Sequence, residues 1–212
     1  MSNSNIYKTA QEKFWIGEFG DDYVDRNSNS KILTSDINLF TKIISRTSNI
    51  HSVIEFGSNI GLNLIALSHL IPNLNLSAIE INEKAVAQLK KNLDNVTVYN
   101  DSILNVDVQG TYDFVLTKGI LIHINPDELP TVYSKMYHAS AKYICIVEYY
   151  NPTPVTVTYR GHEDRLFKRD FAGEMLDTYP DLELVDYGFC YHRDYNFPQD
   201  DGTWFLLKKT CK

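Results

Sequence analysis

From about residue 37 onward the chain alternates short runs rich in Val, Ile, Leu, Phe and Tyr with longer amphipathic stretches, and few folds accept that rhythm. A strand covered on both faces reads as a nearly continuous apolar run, and two parallel strands need a crossover between them. The strand segments are His51–Phe56, Leu74–Ile81, Val96–Asn100, Tyr112–Thr117 and Lys142–Glu148. The helix segments are Ile37–Ser48, Leu62–Leu70, Glu83–Asn92, Asp127–Ser140 and Arg169–Tyr179. Asn82 and the pair Pro126-Asp127 stand where helix starts need a capping side chain or a φ already set. After Pro180 the rhythm changes. Leu182–Tyr191 and Thr203–Lys209 are two strand-like runs joined by the turn-rich DYNFPQDDG, with no room for a helix.

These segments predict an α/β fold of Rossmann-like type: a seven-stranded, mostly parallel sheet with an antiparallel C-terminal hairpin and helices on both faces. The 212 residues suffice for one such domain, with residues 37–212 as its core, residues 1–36 as an N-terminal segment and residues 151–168 as an insertion. The formal net charge of −7 argues against binding nucleic acid through phosphate neutralisation. Three scattered cysteines, Cys145, Cys190 and Cys211, form no Cys-x-x-Cys pair, so no disulfide framework or zinc site is expected. No apolar run reaches membrane-spanning length, and the polar MSNSNIYKTAQEK lacks the core of a signal peptide. A cytoplasmic protein without a membrane or nucleic-acid partner is expected, with monomer and homodimer both open.

The segment VIEFGSNIGLN carries Glu55, Gly57 and Gly61 from the end of the first strand into the first crossover helix. Glycines there allow a tight turn and close approach to a ligand, and the helix start offers free N–H groups. A pyrophosphate cradle would read G-x-G-x-x-G, whereas Asn59 occupies the place of the middle glycine, so a dinucleotide is poorly supported. Glu80, 19 positions beyond Gly61, ends the second strand, where a carboxylate can accept both hydroxyls of a ribose. Asp101 follows the third strand, where its carboxylate and the next amide could read an adenine edge. Together the three strand ends describe an adenosine pocket.

Glu55-Phe56-Gly57-x-x-x-Gly61, Glu80 and Asn100-Asp101-Ser102, followed by two further strands and a hairpin, resemble a class I S-adenosylmethionine-dependent methyltransferase over roughly residues 37–210. The resemblance implies S-adenosyl-L-methionine as cofactor and S-adenosyl-L-homocysteine as product. It implies that Glu55, Gly57 and Gly61 line the methionine end, that Glu80 holds the ribose and that Asp101 with Ser102 contacts the adenine, with Ser58, Asn59, Ile81 and Lys118 also in the cofactor site. The flanking segments FWIGEFGDDYVDRN, TKGILIHINPDEL, EYYNP, YRGHEDRLFKRDFAGE and GFCYHRDYNFPQDDGTWFLL are similar to small methylases associated with pseudaminic acid biosynthesis. A small polar acceptor of that kind is therefore expected, methylated on N or O.

Methyl transfer from a sulfonium is an in-line displacement that depends on holding the acceptor atom in a dry site, and an acceptor O–H or N–H must also lose a proton. His123, just beyond the fourth strand, and Glu148, at the end of the fifth, are the candidates for that step, with His162 in the insertion as a third. Each also has a structural reading as a core or strand-end residue. Asn151-Pro152 differs in position and sequence from the N/D-P-P-Y/F motif of nucleobase methyltransferases. The insertion gathers Arg160, His162, Arg165, Lys168 and Arg169, and guanidinium groups bind carboxylates and phosphates in bidentate geometry. Internal pairing with Glu163 and Asp164 is the alternative. Substrate contacts are expected from Tyr23, Arg26 and Asn27 of a lid-like N-terminal segment, and from Tyr150, Arg160, Arg165 and His192. No metal ligand set is expected. A nucleotide-dependent oxidoreductase and a non-catalytic nucleotide-binding subunit on the same sheet are the rival readings.

Overall fold

The crossover rhythm is realised as one twisted sheet whose centre is β1 (Ser52–Phe56), hydrogen-bonded in parallel to β2 (Asn75–Ile79) on one side and β4 (Tyr112–Lys118) on the other. The computed structural model describes residues 7–26 and 30–210. β3 (Val96–Tyr99) lies outside β2, and β5 (Ser140–Glu148) lies beside β4, both parallel. β8 (Leu182–Phe189) and β9 (Thr203–Lys209) form the closing hairpin, with β9 inserted antiparallel between β5 and β8. The order is β3-β2-β1-β4-β5-β9-β8, the seven-stranded sheet expected from the sequence.

The period of two along each strand divides the core into two layers. Ile54, Phe56, Val115, Ile144 and Ile146 pack with α6 (Leu129–Ala139) and α7 (Phe171–Thr178). Val53, Phe114, Leu116, Cys145 and Val147 pack with α3 (Ser30–Ile44), α4 (Leu62–Leu70) and α5 (Glu83–Asn92). Leu39, Phe40 and Ile43 form the buried stripe of α3, at helical spacing, and Phe40, Ile43 and Leu64 are wholly excluded from solvent. Side chains of this kind each contribute about 1.5–3 kcal/mol by burial. Asn82 caps α5 by accepting from the Ala85 N–H at 2.9 Å, and Asp170 caps α7 through the Gly173 N–H at 2.8 Å. The expected helix at Asp127 is entered through a 3-10 turn, Pro126–Glu128.

Three segments differ from the sequence reading. The first helix of the core begins at Ser30 rather than Ile37, because residues 35 and 36 are already part of the buried surface. The N-terminal segment forms two helices, α1 (Ala10–Ile16) and α2 (Glu18–Arg26), broken at Gly17. The insertion is a hairpin of β6 (Val155–Tyr159) and β7 (His162–Lys168). Its turn residues Arg160 and Gly161 have φ of 49° and 84°, the pair of positive angles that a two-residue hairpin turn matched to strand twist requires. Among the described residues no helix is long and apolar enough to cross a membrane.

The chain runs outward from β1 to β3 and returns to β4 on the other side, so the connections after β1 and β4 diverge. That reversal opens a crevice at the carboxyl ends of the strands. Gly188 on β8 faces Trp204 on β9, and a Cβ there would lie 2.7 Å from the indole. Gly188→Ala is expected to destabilise the fold by about 1–3 kcal/mol and to shift Trp204 fluorescence. Thermal unfolding and emission spectra check this, and an unchanged melting temperature would refute the tight packing.

Candidate functional site

The crevice is a cavity of about 700 Å³ roofed by α1, α2 and the β6–β7 hairpin. Its floor begins at the turn after β1. Gly57 has φ 77°, and a Cβ there would lie 2.4 Å from Ile120, so only glycine lets the turns after β1 and β4 meet. Asn59, at the place of the missing middle glycine, adopts φ 46°, a left-handed conformation that Asn tolerates better than most residues. Its N–H donates to Glu80 Oε2 at 2.7 Å. Gly61, at φ 83°, caps α4 against Leu89 rather than lining the cavity.

Glu80 leaves the end of β2 and is buried, its other oxygen accepting from the Asn82 N–H at 2.8 Å. Burial raises its pKa, and the backbone N–H groups oppose the rise. Glu80, Ile81, Ser58 and Asn59 all line the cavity, as does Ser102. Asp101 does not. Its carboxylate folds back to accept from the Ser102 N–H at 2.7 Å, so this face is lined by Ser102, Ile103 and Leu104. The Ser102 hydroxyl in turn donates to Glu12 of α1, whose other oxygen closes a capping box with Thr9.

The period of two places Glu55 on the α3–α4 side of β1, fully buried and behind the cavity wall rather than in it. Asn63 Nδ2 donates to its Oε1 at 2.6 Å, and its Oε2 has no partner. Burial pushes this carboxyl up to about 8, against the Asn63 hydrogen bond and the Lys118 charge. Asn63 Oδ1 also accepts from Lys118 Nζ, which forms a 2.6 Å ion pair with Asp36. Gln199 Nε2 donates to the same Asp36 oxygen at 3.0 Å, and Asp36 Oδ2 is left without a partner at the cavity wall. Asp36 was missed by sequence reasoning. Its signal is a carboxylate on the stripe that continues through Leu39, Phe40 and Ile43 of α3.

At the far end, His123 closes a 3-10 turn, Leu121–His123, and is buried at the cavity edge between the rings of Trp15 and Tyr159, each 4.8 Å away. The Arg165 carbonyl lies 2.6 Å from Nδ1, and a carbonyl only accepts, so Nδ1 carries the proton. Burial lowers this imidazole to about 4, leaving it neutral at neutral pH. Glu148 accepts from the Ile120 and Leu121 N–H groups at 2.9 and 3.0 Å and from the Thr117 hydroxyl at 3.2 Å. Burial raises it to about 7 even so. This carboxylate holds the turn that carries His123.

The caps divide the remaining candidates. Tyr23, Arg160 and His192 line the cavity. Arg26 stacks outside on Phe19 and Tyr23, and Asn27 lies outside the described residues. His162 is exposed and packs edge-on against Phe14 and Phe19, away from the cavity. Arg165 sits on β7 over Phe14 and donates to the Asp164 carbonyl, because strand register turns it away from the side that Arg160 reaches from the turn. Tyr150 is solvent-exposed and pairs with Arg169. Its neighbour Tyr149 takes the cavity position, as strand alternation requires. Trp15, Tyr159 and Gln199 are among the lining residues that sequence reasoning did not assign.

Because Glu55 keeps its proton in the folded state, stability falls as pH rises from about 4.5, where the unfolded carboxyl ionises, to about 8. Below that window the group is protonated in both states and carries no penalty. Glu55→Gln is expected to gain roughly 5 °C or more in melting temperature over the parent chain at pH 8.5 and to lose that gain at pH 4.5. A difference independent of pH would refute the buried, protonated carboxyl.

Residues 53–142 match the family model described as a methyltransferase domain. Malonyl-[acyl-carrier protein] O-methyltransferase of Bacillus anthracis is 27% identical over 114 residues, covering 53% of this chain and 41% of that protein. The chain thus spans about two-fifths of the length of that curated relative. The structure of Burkholderia thailandensis 1,6-didemethyltoxoflavin-N1-methyltransferase, with bound 1,6-didemethyltoxoflavin and S-adenosylhomocysteine, superposes with a TM-score of 0.70 at 12% identity. The match covers 94% of this chain and 87% of that one. Magnesium protoporphyrin IX methyltransferase from Synechocystis PCC 6803, with bound S-adenosylhomocysteine, gives 0.69 at 12% identity over 94% and 97%. Residues 53–142 are thus similar to a methyltransferase domain, and the chain has the Rossmann-like fold of these methyltransferase structures.

Proposed function

We propose that this chain transfers the methyl group of S-adenosylmethionine to a nitrogen or oxygen of a small polar acceptor bearing an acidic group. The acceptor class is a nonulosonic acid such as pseudaminic acid, its nucleotide-activated form or a precursor. The observation that carries the first half is the set of acceptor atoms turned into the cavity. Glu80 presents a carboxylate already oriented by two backbone amides, while Asp36 Oδ2, Ser58 Oγ and Asn59 Oδ1 are buried without partners. Buried polar atoms left unpaired cost stability, and ligand donors relieve that cost. Ribose hydroxyls suit Glu80, an ammonium suits Asp36, a carboxylate suits Lys118, and the apolar and backbone surface of Ile81 and Ile103 suits an adenine. A dinucleotide suits the site less, because the side chain of Asn59 fills the place where a pyrophosphate needs bare backbone.

The cofactor supplies an electrophilic methyl on a sulfonium. The chain supplies position and dryness: Trp15, Tyr149 and Tyr159 wall the acceptor end, and Glu148 fixes the turn that bears His123. His123 offers Nε2 as a hydrogen-bond acceptor to orient a hydroxyl or amine, yet at about 4 it holds a transferred proton poorly. Arg160 at the mouth supports an acidic acceptor, since a guanidinium takes a carboxylate or phosphate in bidentate fashion. A phosphate-bearing metabolite of another kind satisfies the same group and is the second reading.

Calorimetry is expected to show binding of S-adenosylmethionine and S-adenosylhomocysteine, weakened about 10- to 100-fold by Glu80→Ala through loss of charge-assisted hydrogen bonds. Absence of binding in the parent chain would sink the cofactor half. Incubation with acidic and neutral sugars, read by mass for a gain of one methyl, tests the acceptor. Arg160→Gln is expected to raise KM for the acidic acceptor with little change in kcat. Equal methylation of neutral sugars would refute the role of Arg160.

A further inference from the structure

The loop from Tyr191 to Gly202, between β8 and β9, pairs a histidine that lines the cavity with a carboxylate, both part-exposed at its rim. His192 Nδ1 lies 2.9 and 2.8 Å from the two oxygens of Asp201, and the His192 backbone N–H donates to the same carboxylate at 3.0 Å. The loop is braced from within and without. Asp194 accepts from the Asn196 and Phe197 N–H groups, Cys190 N–H donates to the Gly202 carbonyl, and Gln199 is tied to Asp36. Gly202 sits beside Val147 and the Glu148 carbonyl, at the carboxyl end of β5. His192 and Gln199 line the same cavity as Lys118 and Glu148. The charged and titratable groups around the pair are Asp200, Tyr149 at the end of β5, Lys168 of β7 acting on Asp201, and the Asp36–Lys118 pair.

Resting on the methyltransferase reading above, we propose that His192 is the general base of the transfer and that Asp201 positions it. Asp201 holds the ring with its proton on Nδ1, which leaves the Nε2 lone pair for the acceptor. As the acceptor oxygen or nitrogen bonds to the methyl carbon, its proton passes to Nε2. The electron pair of the broken carbon–sulfur bond stays on sulfur, which becomes a neutral thioether, and the imidazolium formed is stabilised by the Asp201 carboxylate. The other imidazoles lack this combination: His123 spends Nδ1 on a backbone carbonyl and has no carboxylate partner, and His162 is outside the cavity.

The test has two arms. In the full chain without ligand, 15N shifts of the His192 ring, assigned by their loss in His192→Gln, are expected to report a proton on Nδ1. Asp201→Asn should move that proton towards Nε2, and Asp201→Glu should restore it. In the second arm, with pseudaminic acid and its nucleotide-activated form as acceptors, His192→Gln is expected to lower kcat about 100-fold while S-adenosylhomocysteine affinity changes less than threefold. Asp201→Asn should lower kcat and alter the acidic limb of the pH profile. A parent chain that binds no S-adenosylhomocysteine, or methylates no acid, fails the parent reading. Retained turnover in His192→Gln, or a proton found on Nε2 in the parent chain, overturns this inference alone.

Discussion

The site hangs on one buried junction, Glu80 with Asn82. Glu80 ties the turn after β1 to the turn after β2 by accepting from the N–H groups of Asn59 and Asn82. Asn82 then uses every polar atom it has: Oδ1 caps α5, its carbonyl accepts from the Val86 N–H, and Nδ2 donates to the Trp15 carbonyl and to Asp21. Two strand ends, the start of a helix and the whole α1–α2 cap thereby share one point. Gly20 makes that point possible, since a Cβ there would lie 1.8 Å from the Trp15 carbonyl oxygen.

Four carboxyl groups, Asp36, Glu55, Glu80 and Glu148, are buried at one edge of the sheet, and burial raises the pKa of each. Clustering acids out of water is unfavourable unless each finds donors. Three do: Glu80 and Glu148 take backbone N–H groups, and Asp36 takes Lys118. Glu55, with a single side-chain donor, remains largely protonated at neutral pH instead. The cavity wall therefore presents two amide-oriented carboxylates and one ion pair, at a cost in stability borne by the sheet's two apolar layers.

The sheet was legible because both faces of each central strand are buried, which prints an apolar run into the sequence, and because Asn82 and Asp170 cap their helices through local contacts. Glu80 was legible for the same reason: a polar residue ending an apolar run must face the strand-end crevice. What escaped was set by contacts distant in sequence. Asp101 stands where an adenine contact is expected, yet its carboxylate satisfies its own neighbour, and Glu12 from α1, 90 residues away, takes the Ser102 hydroxyl. The basic cluster of the insertion did not reveal which arginine faces the cavity, because that depends on the two-residue turn at Arg160-Gly161. The Tyr149–Tyr150 choice reduces to the register of a single alternation.

The caps and the sheet differ in how firmly they are held, and that difference bears on how a ligand enters the cavity. Each central strand is flanked by two ladders and buried on both faces. The α1–α2 unit instead rests on the Asn82 junction, Lys84 with Asp25, Glu12 with Ser102, and an aromatic cluster in which Phe14 and Phe19 meet His162 and Tyr159 of the hairpin. Gln11 joins the two caps directly through the Asp164 carbonyl. Few of these contacts are fully buried, and segments held in this way open at a fraction of the global unfolding free energy. Parting the caps uncovers the buried Glu80 while leaving the strand end that positions it in place, so that carboxylate keeps its orientation through the opening.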